Sequence, residues 1–330
     1  CVVIMQAANT GLTGGSTPYG DDYDRPVIIM STRRLQGIQV ILDGKQVVCL
    51  PGATLDNLER TLKPYNREPH SVIGSSCIGA SVLGGVCNNS GGALVRRGPA
   101  YTEMALYARV NESGELELIN HLGIDLGNTA EEILTRLQKQ DYETGQVTTQ
   151  TTQLASDNRY AHDVKQVDAD SPARFNADPT RLYEASGSAG KVCVFAVRLD
   201  TFEKVESKVF YIGSNDHDDL TAIRRYLLTS LPSLPIAGEY IHRDAFSIGA
   251  KYGKDTFLFI ERFGTVNIPR ALALKDRIDG WLEKIKIRGL TDQILQAITF
   301  FLPNHLPRRM LAFHQRFEHH LILRVDEQSA

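Results

Sequence analysis

The chain has 330 residues, of which 42% are hydrophobic and 23% are charged, so it can bury the cores of two or three folded units. Its formal net charge of -3 gives no whole-chain signal for nucleic acid or for an acidic substrate. No apolar run approaches the ~18 residues that span a bilayer and nothing resembles a signal peptide, so we expect any membrane contact to be peripheral. The five cysteines include no Cys-x-x-Cys pair, which predicts reduced thiols and no metal site.

The first half of the chain is predicted to mix strands with helices. Strands are indicated at residues 2–5, 27–30, 46–50, 104–110 and 116–120. Thr54 is expected to cap a helix that runs to about Lys63, and a second helix is expected at 129–139. Residues 140–160 are rich in Gln, Thr, Asp and Asn without apolar periodicity, which predicts a surface loop.

The second half begins with a strong strand pattern at residues 191–199. A strand at 208–213, a helix at 220–231 and a strand at 235–240 predict a separate unit of mixed helices and strands. From residue 241 onward helical patterns dominate, notably at 270–286, where Trp281 lies on the helix face.

Three segments rich in small residues have a composition that suits a ligand. The first, residues 6–18, reads QAANTGLTGGSTP and follows the strand at 2–5 directly. Its small residues let main-chain N–H groups approach an anion, and Gly14 and Gly15 can adopt positive φ. The segment is neither a Walker A loop nor the G-x-G-x-x-G fingerprint. It suits a diphosphate, and the alternative is a plain structural turn.

The second segment, residues 73–92, carries six glycines and precedes Arg96 and Arg97. Glycine costs about 1 kcal/mol in a regular helix, so we expect a ligand to approach this backbone closely. A large flat cofactor fits better than a mobile loop, because apolar residues such as Val82 and Val86 are expected to be buried. The third segment, residues 185–194, is a turn of small residues that enters the strand at 191–199, and it is a weak signal alone.

Three such segments in this order resemble the flavoproteins of the vanillyl-alcohol-oxidase type. The resemblance implies an α+β fold with an FAD-binding domain of two α+β subdomains, followed by part of an α+β cap and a helical membrane-associating region. It implies non-covalent FAD, since no histidine or cysteine clearly matches the attachment site of covalent members. The residues that match the family's FAD contacts are Ala7, Ala8, Asn9, Thr10, Gly11, Gly15, Ser16, Gly74, Ser81, Gly91, Ala189, Gly190 and Val194.

Longer strings narrow the resemblance to the respiratory, quinone-reducing D-lactate dehydrogenase family. They are MQAANTGLT (5–13), REPHSVIGSSC (67–77), NHLGIDLG (120–127) and FEHH (317–320). The resemblance implies oxidation of D-lactate to pyruvate by FAD, with electrons passed to a membrane quinone at the cytoplasmic face of the bacterial inner membrane. It also implies that the family's N- and C-terminal portions are missing here. Two alternatives stay open: another FAD-dependent D-2-hydroxy-acid dehydrogenase, or an inactive fragment of such an enzyme.

Oxidising a 2-hydroxy acid requires a base for the hydroxyl proton and a cation for the carboxylate. Histidine suits the first task and arginine the second, and the candidates are His319 and His320 with Arg309 and Arg316. Adjacent residues of a strand face opposite ways, so only one of the two histidines can serve. A surface histidine pair is the alternative, and the family resemblance also places catalytic histidines in the missing C-terminal part. His70 is a further candidate, for which a structural hydrogen-bonding role is favoured.

Residues 262–316 carry ten basic and four acidic side chains, a surplus of +6. Aromatic residues such as Trp281, Phe300 and Phe301 are interleaved with this charge, which suits an anionic lipid surface. A solvated helix face would explain the composition alone, but the family resemblance favours the membrane, and nothing else favours nucleic acid. The predicted domains are an FAD-binding domain at 1–199, the start of a substrate cap at 200–236, a membrane-associating region at 237–313 and a cap continuation at 314–330.

Overall fold

The computed structural model describes residues 1–11, 13–70, 78–91, 93–149, 151–188, 190–264, 267–284, 289–302 and 305–329. The chain divides into two compact units, Cys1–Glu206 and Ser207–Ala330. Each unit mixes strands with helices, which confirms the α+β class predicted from the sequence.

The first unit is built on a five-stranded antiparallel sheet. Its strands in chain order are β1 (Val2–Gln6), β2 (Val27–Ser31), β3 (Ile38–Ile41), β4 (Gln46–Cys49), β5 (Arg67–Glu68), β6 (Ala105–Val110), β7 (Leu116–Asn120), β8 (Cys193–Asp200) and β9 (Phe202–Glu203). The main sheet has the order β3-β4-β8-β6-β7, so β8 lies at its centre. β1 pairs with β2 in parallel, and β5 pairs with β9 antiparallel. The sequence analysis missed β3, because four residues are too few to show a period.

One face of the main sheet packs against α1 (Leu55–Leu62) and α2 (Val82–Cys87). Thr54 Oγ1 accepts a hydrogen bond from the N–H of Asn57 at 3.2 Å, which confirms the predicted helix cap. Leucines at helical spacing bury the inner face of α1. The helix α2 was not predicted, since it contains Gly84 and Gly85. It forms because Val82, Leu83 and Val86 are buried in the core, and such packing overrides weak helix propensity.

The opposite face of the sheet is covered by α3 (Ala130–Lys139) and by the chain on either side of it. Tyr142 and Val147 are buried there, Ala155 is also buried, and a short helix, α4 (Tyr160–Asp163), follows. The prediction of a surface loop at 140–160 is therefore wrong for these three residues. They anchor an otherwise polar segment to the core, and their irregular spacing matches neither the helical nor the strand period.

A buried arginine ties this covering segment to the sheet. Arg198 of β8 is only 1% exposed. Its Nη1 donates to the carbonyl of Leu122 at 3.0 Å, its Nη2 to the carbonyl of Thr148 at 2.9 Å and its Nε to Gln46 Oε1 at 2.7 Å. Since these hydrogen bonds are charge-assisted, they hold irregular backbone against the sheet without regular secondary structure.

The parallel pair β1–β2 confirms the strands predicted at residues 2–5 and 27–30, and it is partly exposed. Val3 is 48% exposed, and Ile28 and Ile29 of β2 are exposed to a similar extent. A two-stranded sheet leaves these side chains in contact with solvent. Beyond β2, a Cβ added to Gly52 would lie 2.2 Å from the carbonyl oxygen of Thr32, so only glycine permits this close backbone approach.

The second unit contains a three-stranded antiparallel sheet. Its strands are β10 (Ser207–Ser214), β11 (Ala237–His242) and β12 (His319–Asp326), in the order β10-β12-β11. The helix α5 (His217–Thr229) buries Leu220 and Leu228 and contacts β10 and β12. The predicted strand, helix and strand at 208–240 are confirmed, with bounds shifted by a few residues.

Helices fill the chain between β11 and β12. They are α6 (Arg243–Tyr252), α7 (Lys254–Phe263), α8 (Ile268–Lys284), α9 (Leu290–Phe301) and α10 (Arg308–Arg316). Large apolar side chains on these helices stay exposed, and Phe300 and Phe301 reach 84% each. Within the described residues, no helix is both long and apolar enough to cross a membrane.

Candidate cofactor site and histidine cluster

The first small-residue segment forms a loop folded around Asn9. Asn9 has a φ of +55°, and its Oδ1 accepts hydrogen bonds from Ser16 Oγ at 2.6 Å and from Thr17 Oγ1 at 2.8 Å. Gln6 Nε2 donates to the carbonyl of Ser16 at 2.7 Å. Side chains therefore close the loop at its base. The positive φ of Asn9 was not predicted, although asparagine tolerates the left-handed region better than most residues.

The glycine backbone of this loop is open. A Cβ added at Gly11, Gly14 or Gly15 would meet no heavy atom of the described residues within 4 Å, and Gly14 has a φ of +69°. Main-chain N–H groups beside such glycines can approach an anion closely. The loop fits a diphosphate, and it carries the predicted contacts Ala7, Ala8, Asn9, Thr10, Gly11, Gly15 and Ser16.

The second segment begins its described part just before α2. Ser81 is buried, and its Oγ accepts a hydrogen bond from the N–H of Gly84 at 3.1 Å. Beyond the helix, a Cβ added at Gly91 would meet Pro99 at an ordinary 3.7 Å. The predicted contact Gly74 lies outside the described residues.

The third segment presents one open glycine and one core residue. Gly190 has a φ of +78°, and a Cβ added there would meet no heavy atom within 4 Å in the part of the chain that the structure describes. Val194 pairs with Tyr107 of β6, and its side chain belongs to the hydrophobic core. The predicted contact Ala189 lies outside the described residues.

The first unit brings the three segments to the beginning of β8. Cys193 Sγ, at the start of β8, lies 3.1 Å from Met5 Sδ, near the end of β1. The N–H of Gly187 in the third segment donates to the carbonyl of Val86 in α2 at 3.2 Å. Open glycine backbone gathered in this way fits a long dinucleotide such as FAD. The absence of atoms beside Gly11, Gly14, Gly15 and Gly190, within the described residues, supports this fit.

Two residues, one within the second segment and one outside all three, escaped the sequence analysis. Asn89, just after α2, has a φ of +51°, and its Oδ1 accepts a hydrogen bond from Arg174 Nη2 at 3.1 Å. The pair Asn88-Asn89 next to glycines was a local signal for a left-handed turn. Arg174 gave no signal, because its partner lies 85 residues away in the chain.

His70 is buried where the second segment begins, at 3% exposure. Its ring packs edge-on against Phe202, with 5.8 Å between ring centroids, and neither ring nitrogen has a hydrogen-bond partner among the described residues. Burial, aided by the charge of Arg97, lowers the pKa of His70 to about 4. His70 is therefore neutral at pH 7.

The two candidate catalytic histidines face opposite sides of the second unit's sheet, as expected for neighbours on a strand. His319 Nδ1 is hydrogen bonded to Tyr240 Oη at 2.8 Å, and its ring lies 5.6 Å from that of His242. His320 is fully buried, and its Nδ1 is hydrogen bonded to Tyr211 Oη at 3.1 Å. Burial, followed by the nearby charge of His314, lowers the pKa of His320 below its ordinary value.

The candidate carboxylate-binding arginines lie on α10, and both are exposed. The guanidinium of Arg316 stacks over the ring of Phe317 at 5.1 Å. Within the described residues, no ion pair or hydrogen bond links Arg309 or Arg316 to either histidine. Their role in holding a substrate carboxylate stays a prediction.

Two family models match the chain. Residues 3–117 match a model described as "FAD binding domain", and residues 209–330 match one described as "D-lactate dehydrogenase, membrane binding". The chain is thus an α+β flavoprotein with an FAD-binding domain in its first unit and a membrane-binding domain in its second.

The chain also resembles three curated proteins, each named quinone-dependent D-lactate dehydrogenase. It is 58% identical to the protein of Haemophilus influenzae over 327 residues, 55% identical to that of Escherichia coli (strain K12) over 327 residues, and 48% identical to that of Corynebacterium glutamicum over 329 residues. These alignments cover 98–99% of this chain and 57–58% of each relative. The chain is therefore similar along nearly its whole length to proteins named quinone-dependent D-lactate dehydrogenase, which confirms the predicted resemblance, and it spans less than two thirds of their length.

Among solved structures, the chain shows a loose similarity to alkyldihydroxyacetonephosphate synthase. The TM-score is 0.47 and the identity 11%, over 98% of this chain and 43% of that one.

The low pKa of His70 predicts that the folded first unit loses stability at acidic pH. The unfolded chain takes up a proton below about pH 6.5, whereas folded His70 stays neutral down to about pH 4, so stability falls as the pH drops through this window. We expect His70 to account for about 2 kcal/mol of the stability lost between pH 7 and pH 5.

Urea denaturation followed by circular dichroism at both pH values measures this loss. His70→Gln should flatten the pH dependence, whereas His162→Gln, at an exposed histidine of the same unit, should leave it unchanged. Equal pH dependence in His70→Gln and the unsubstituted protein would show that the ring titrates normally.

Proposed function

We propose that the chain is the FAD-binding and membrane-binding part of an enzyme that oxidises D-lactate to pyruvate and passes the electrons to a membrane quinone. The observation that carries this proposal is the 58% identity, along 98% of the chain, to a quinone-dependent D-lactate dehydrogenase. The gathering of three segments of small residues at the start of β8 supports it independently. FAD, when bound, would supply the hydride acceptor, and the protein supplies position and charge.

The residues proposed to hold FAD act mainly through their backbone. The loop closed by Asn9 would place its N–H groups at the diphosphate, and the open glycines of the first and third segments leave room for the cofactor to contact the main chain. The pKa of the Cys87 thiol is raised to about 11 and that of Cys49 to about 12, both by burial. Neither thiol is ionised at pH 7, so neither is suited to attack a flavin, in agreement with the proposal that FAD is non-covalent.

The visible absorption spectrum of the purified protein tests this function, before and after anaerobic D-lactate. We expect a flavin band that bleaches with D-lactate and not with L-lactate. The reason is that the chain matches an FAD-binding domain and is 58% identical to a quinone-dependent D-lactate dehydrogenase. A band that bleaches with other D-2-hydroxy acids and not with D-lactate would favour the alternative dehydrogenase. A band that no 2-hydroxy acid bleaches would favour the inactive fragment, and absence of flavin after added FAD would contradict the proposal.

We further propose that one histidine of the pair on β12 accepts the hydroxyl proton of the substrate. His320 fits this role better than His319, because burial lowers its pKa, which favours the neutral ring, and Tyr211 fixes its orientation. Its Nε2 also has no hydrogen-bond partner among the described residues. In the tautomer in which Nδ1–H donates to Tyr211 Oη, this nitrogen can accept a proton.

His320→Asn should lower kcat for D-lactate by roughly 10²- to 10⁴-fold, the usual contribution of a general base. Steady-state kinetics measure this effect, and His319→Asn, the neighbour on the opposite face, is the matched control. We expect less than about tenfold loss in that control. A larger loss in His319→Asn than in His320→Asn would assign the base to the other side of the sheet.

We propose that the helices α8 and α9 dock on an anionic lipid surface at the cytoplasmic face of the bacterial inner membrane. The exposed apolar side chains of α9, including Phe300 and Phe301, support apolar insertion, and the basic surplus of residues 262–316 supports attraction to anionic headgroups. The membrane-binding family model covers the same helices. The helical region would lie between two parts of the substrate cap, 200–236 and 314–330.

Substituting both Phe300 and Phe301 by serine should weaken vesicle binding by more than about tenfold, since each phenylalanine contributes about 1.5–3 kcal/mol when buried. Sedimentation with vesicles of phosphatidylglycerol and phosphatidylethanolamine measures the affinity. Leu116→Ser, at a comparably exposed apolar residue of the first unit, is the matched control. Unchanged binding in the double variant, or an equal loss in the control, would refute docking through α9.

A further inference from the structure

A buried cluster of charge lies beside the proposed cofactor segments in the first unit. It consists of Asp157, Arg174 and Arg181, whose side chains are 2%, 5% and 9% exposed. Asp157 Oδ2 accepts from Arg174 Nη1 at 3.0 Å and from Arg181 Nε at 2.8 Å. Its Oδ1 accepts from the N–H groups of Arg159 and Tyr160 at 2.9 and 3.1 Å. Two guanidinium groups therefore share one carboxylate, and the two backbone N–H groups complete its hydrogen bonding.

The two arginines of this cluster have different surroundings. Arg181 has a second acid nearby, since its Nη2 lies 3.8 Å from Asp163 Oδ2. Arg174 stacks its guanidinium over the ring of Tyr101 at 5.2 Å, and its Nε is buried without a partner among the described residues. Burying a cation that is only partly satisfied is unfavourable for stability alone. The remaining hydrogen bond of Arg174 goes to Asn89, in the second proposed cofactor segment.

Asn89 joins two of the proposed cofactor segments. Its Oδ1 accepts from Arg174 Nη2 at 3.1 Å, while its Nδ2 lies only 2.7 Å from where a Cβ on Gly187 would stand. The backbone of Asn89 is in the left-handed region, with a φ of +51°, which is unfavourable without support from its surroundings. Asn89 lies just before Gly91 in the second segment, and Gly187 lies just before Gly190 in the third. The side chain of Asn89 therefore connects the second segment to the third.

We propose that Arg174 is a positioning residue for FAD: through Asn89 it fixes the backbone that leads to Gly91 and Gly190, without touching the cofactor itself. This inference rests on the proposed function, since it assumes that the two segments bind FAD. A supporting residue that orders the groups around a site raises ligand affinity, because less conformational freedom is lost on binding. Loss of Arg174 should therefore weaken FAD binding more than it weakens the fold.

Titration of FAD into flavin-free protein, followed by quenching of flavin fluorescence, tests this role. Arg174→Met should raise the Kd for FAD by about tenfold or more, the size of effect typical of residues that support a binding site. Arg181→Met is the matched control, because it removes an equivalent bond to Asp157, and Arg181 has no hydrogen bond to Asn89 among the described residues. We expect its Kd to stay within about twofold of the unsubstituted protein, although urea denaturation should show a comparable loss of stability in both variants.

Asn89→Gly provides a second, independent variant, since glycine accepts a φ of +51° and only the side-chain contacts are lost. If Arg174 acts through Asn89, the effects of Arg174→Met and Asn89→Gly on the Kd should not add in the double variant. Additive effects, an unchanged Kd in Arg174→Met, or an equal loss in Arg181→Met would each overturn the inference. Absence of FAD binding by the unsubstituted protein would instead reject the proposed function, and the inference with it.

Discussion

The first unit depends on the central position of β8. This strand pairs with β4 and β6 at once, and its side chains alternate between the two cores, with Val197 and Leu199 on one face and Ala196 on the other. Its first residue, Cys193, contacts the end of β1, so the same strand that organises the sheet also determines where the small-residue segments meet. Because both hydrophobic layers pack against β8, the proposed cofactor segments are attached to a strand that is paired on both edges, an arrangement that favours a preorganised binding site.

Sequence reasoning predicted the structure correctly where a local pattern of residues is compatible with only one kind of secondary structure. The leucines of α1, the cap at Thr54 and the strand β8 follow from periodicity and local hydrogen bonding, and the three proposed cofactor segments follow from their small residues. It failed where structure depends on distant partners. The glycines of α2 form a helix because their neighbours are buried, Tyr142 and Val147 reach the core at irregular spacing, and the bond between Arg174 and Asn89 crosses 85 residues. Local composition therefore predicted which segments suit a cofactor, but not the long-range contacts that fix the positions of these segments.

The two units place arginine and aromatic side chains in contrasting ways. In the first unit, Arg198 and Arg174 are buried and use their planar forks to bind main-chain carbonyls, two amide side chains and one carboxylate. Such buried cations connect segments that have no regular pairing of their own. In the second unit, Arg309 and Arg316 are exposed, and so are Trp281, Phe300 and Phe301. The same residue types thus stabilise an interior in one unit and form a surface in the other.

The strand order of the second unit affects how its helical region can vary. β12 lies between β10 and β11, so the helices α6 to α10 form one long excursion whose two ends are held together by the pairing of β11 with β12. The entropy of closing an excursion grows only with the logarithm of its length, and doubling the length costs about 0.6 kcal/mol. Helices could be lengthened, shortened or exchanged there while the register of the sheet is preserved. This arrangement allows the surface-binding part of the unit to diversify independently of the strands that support it.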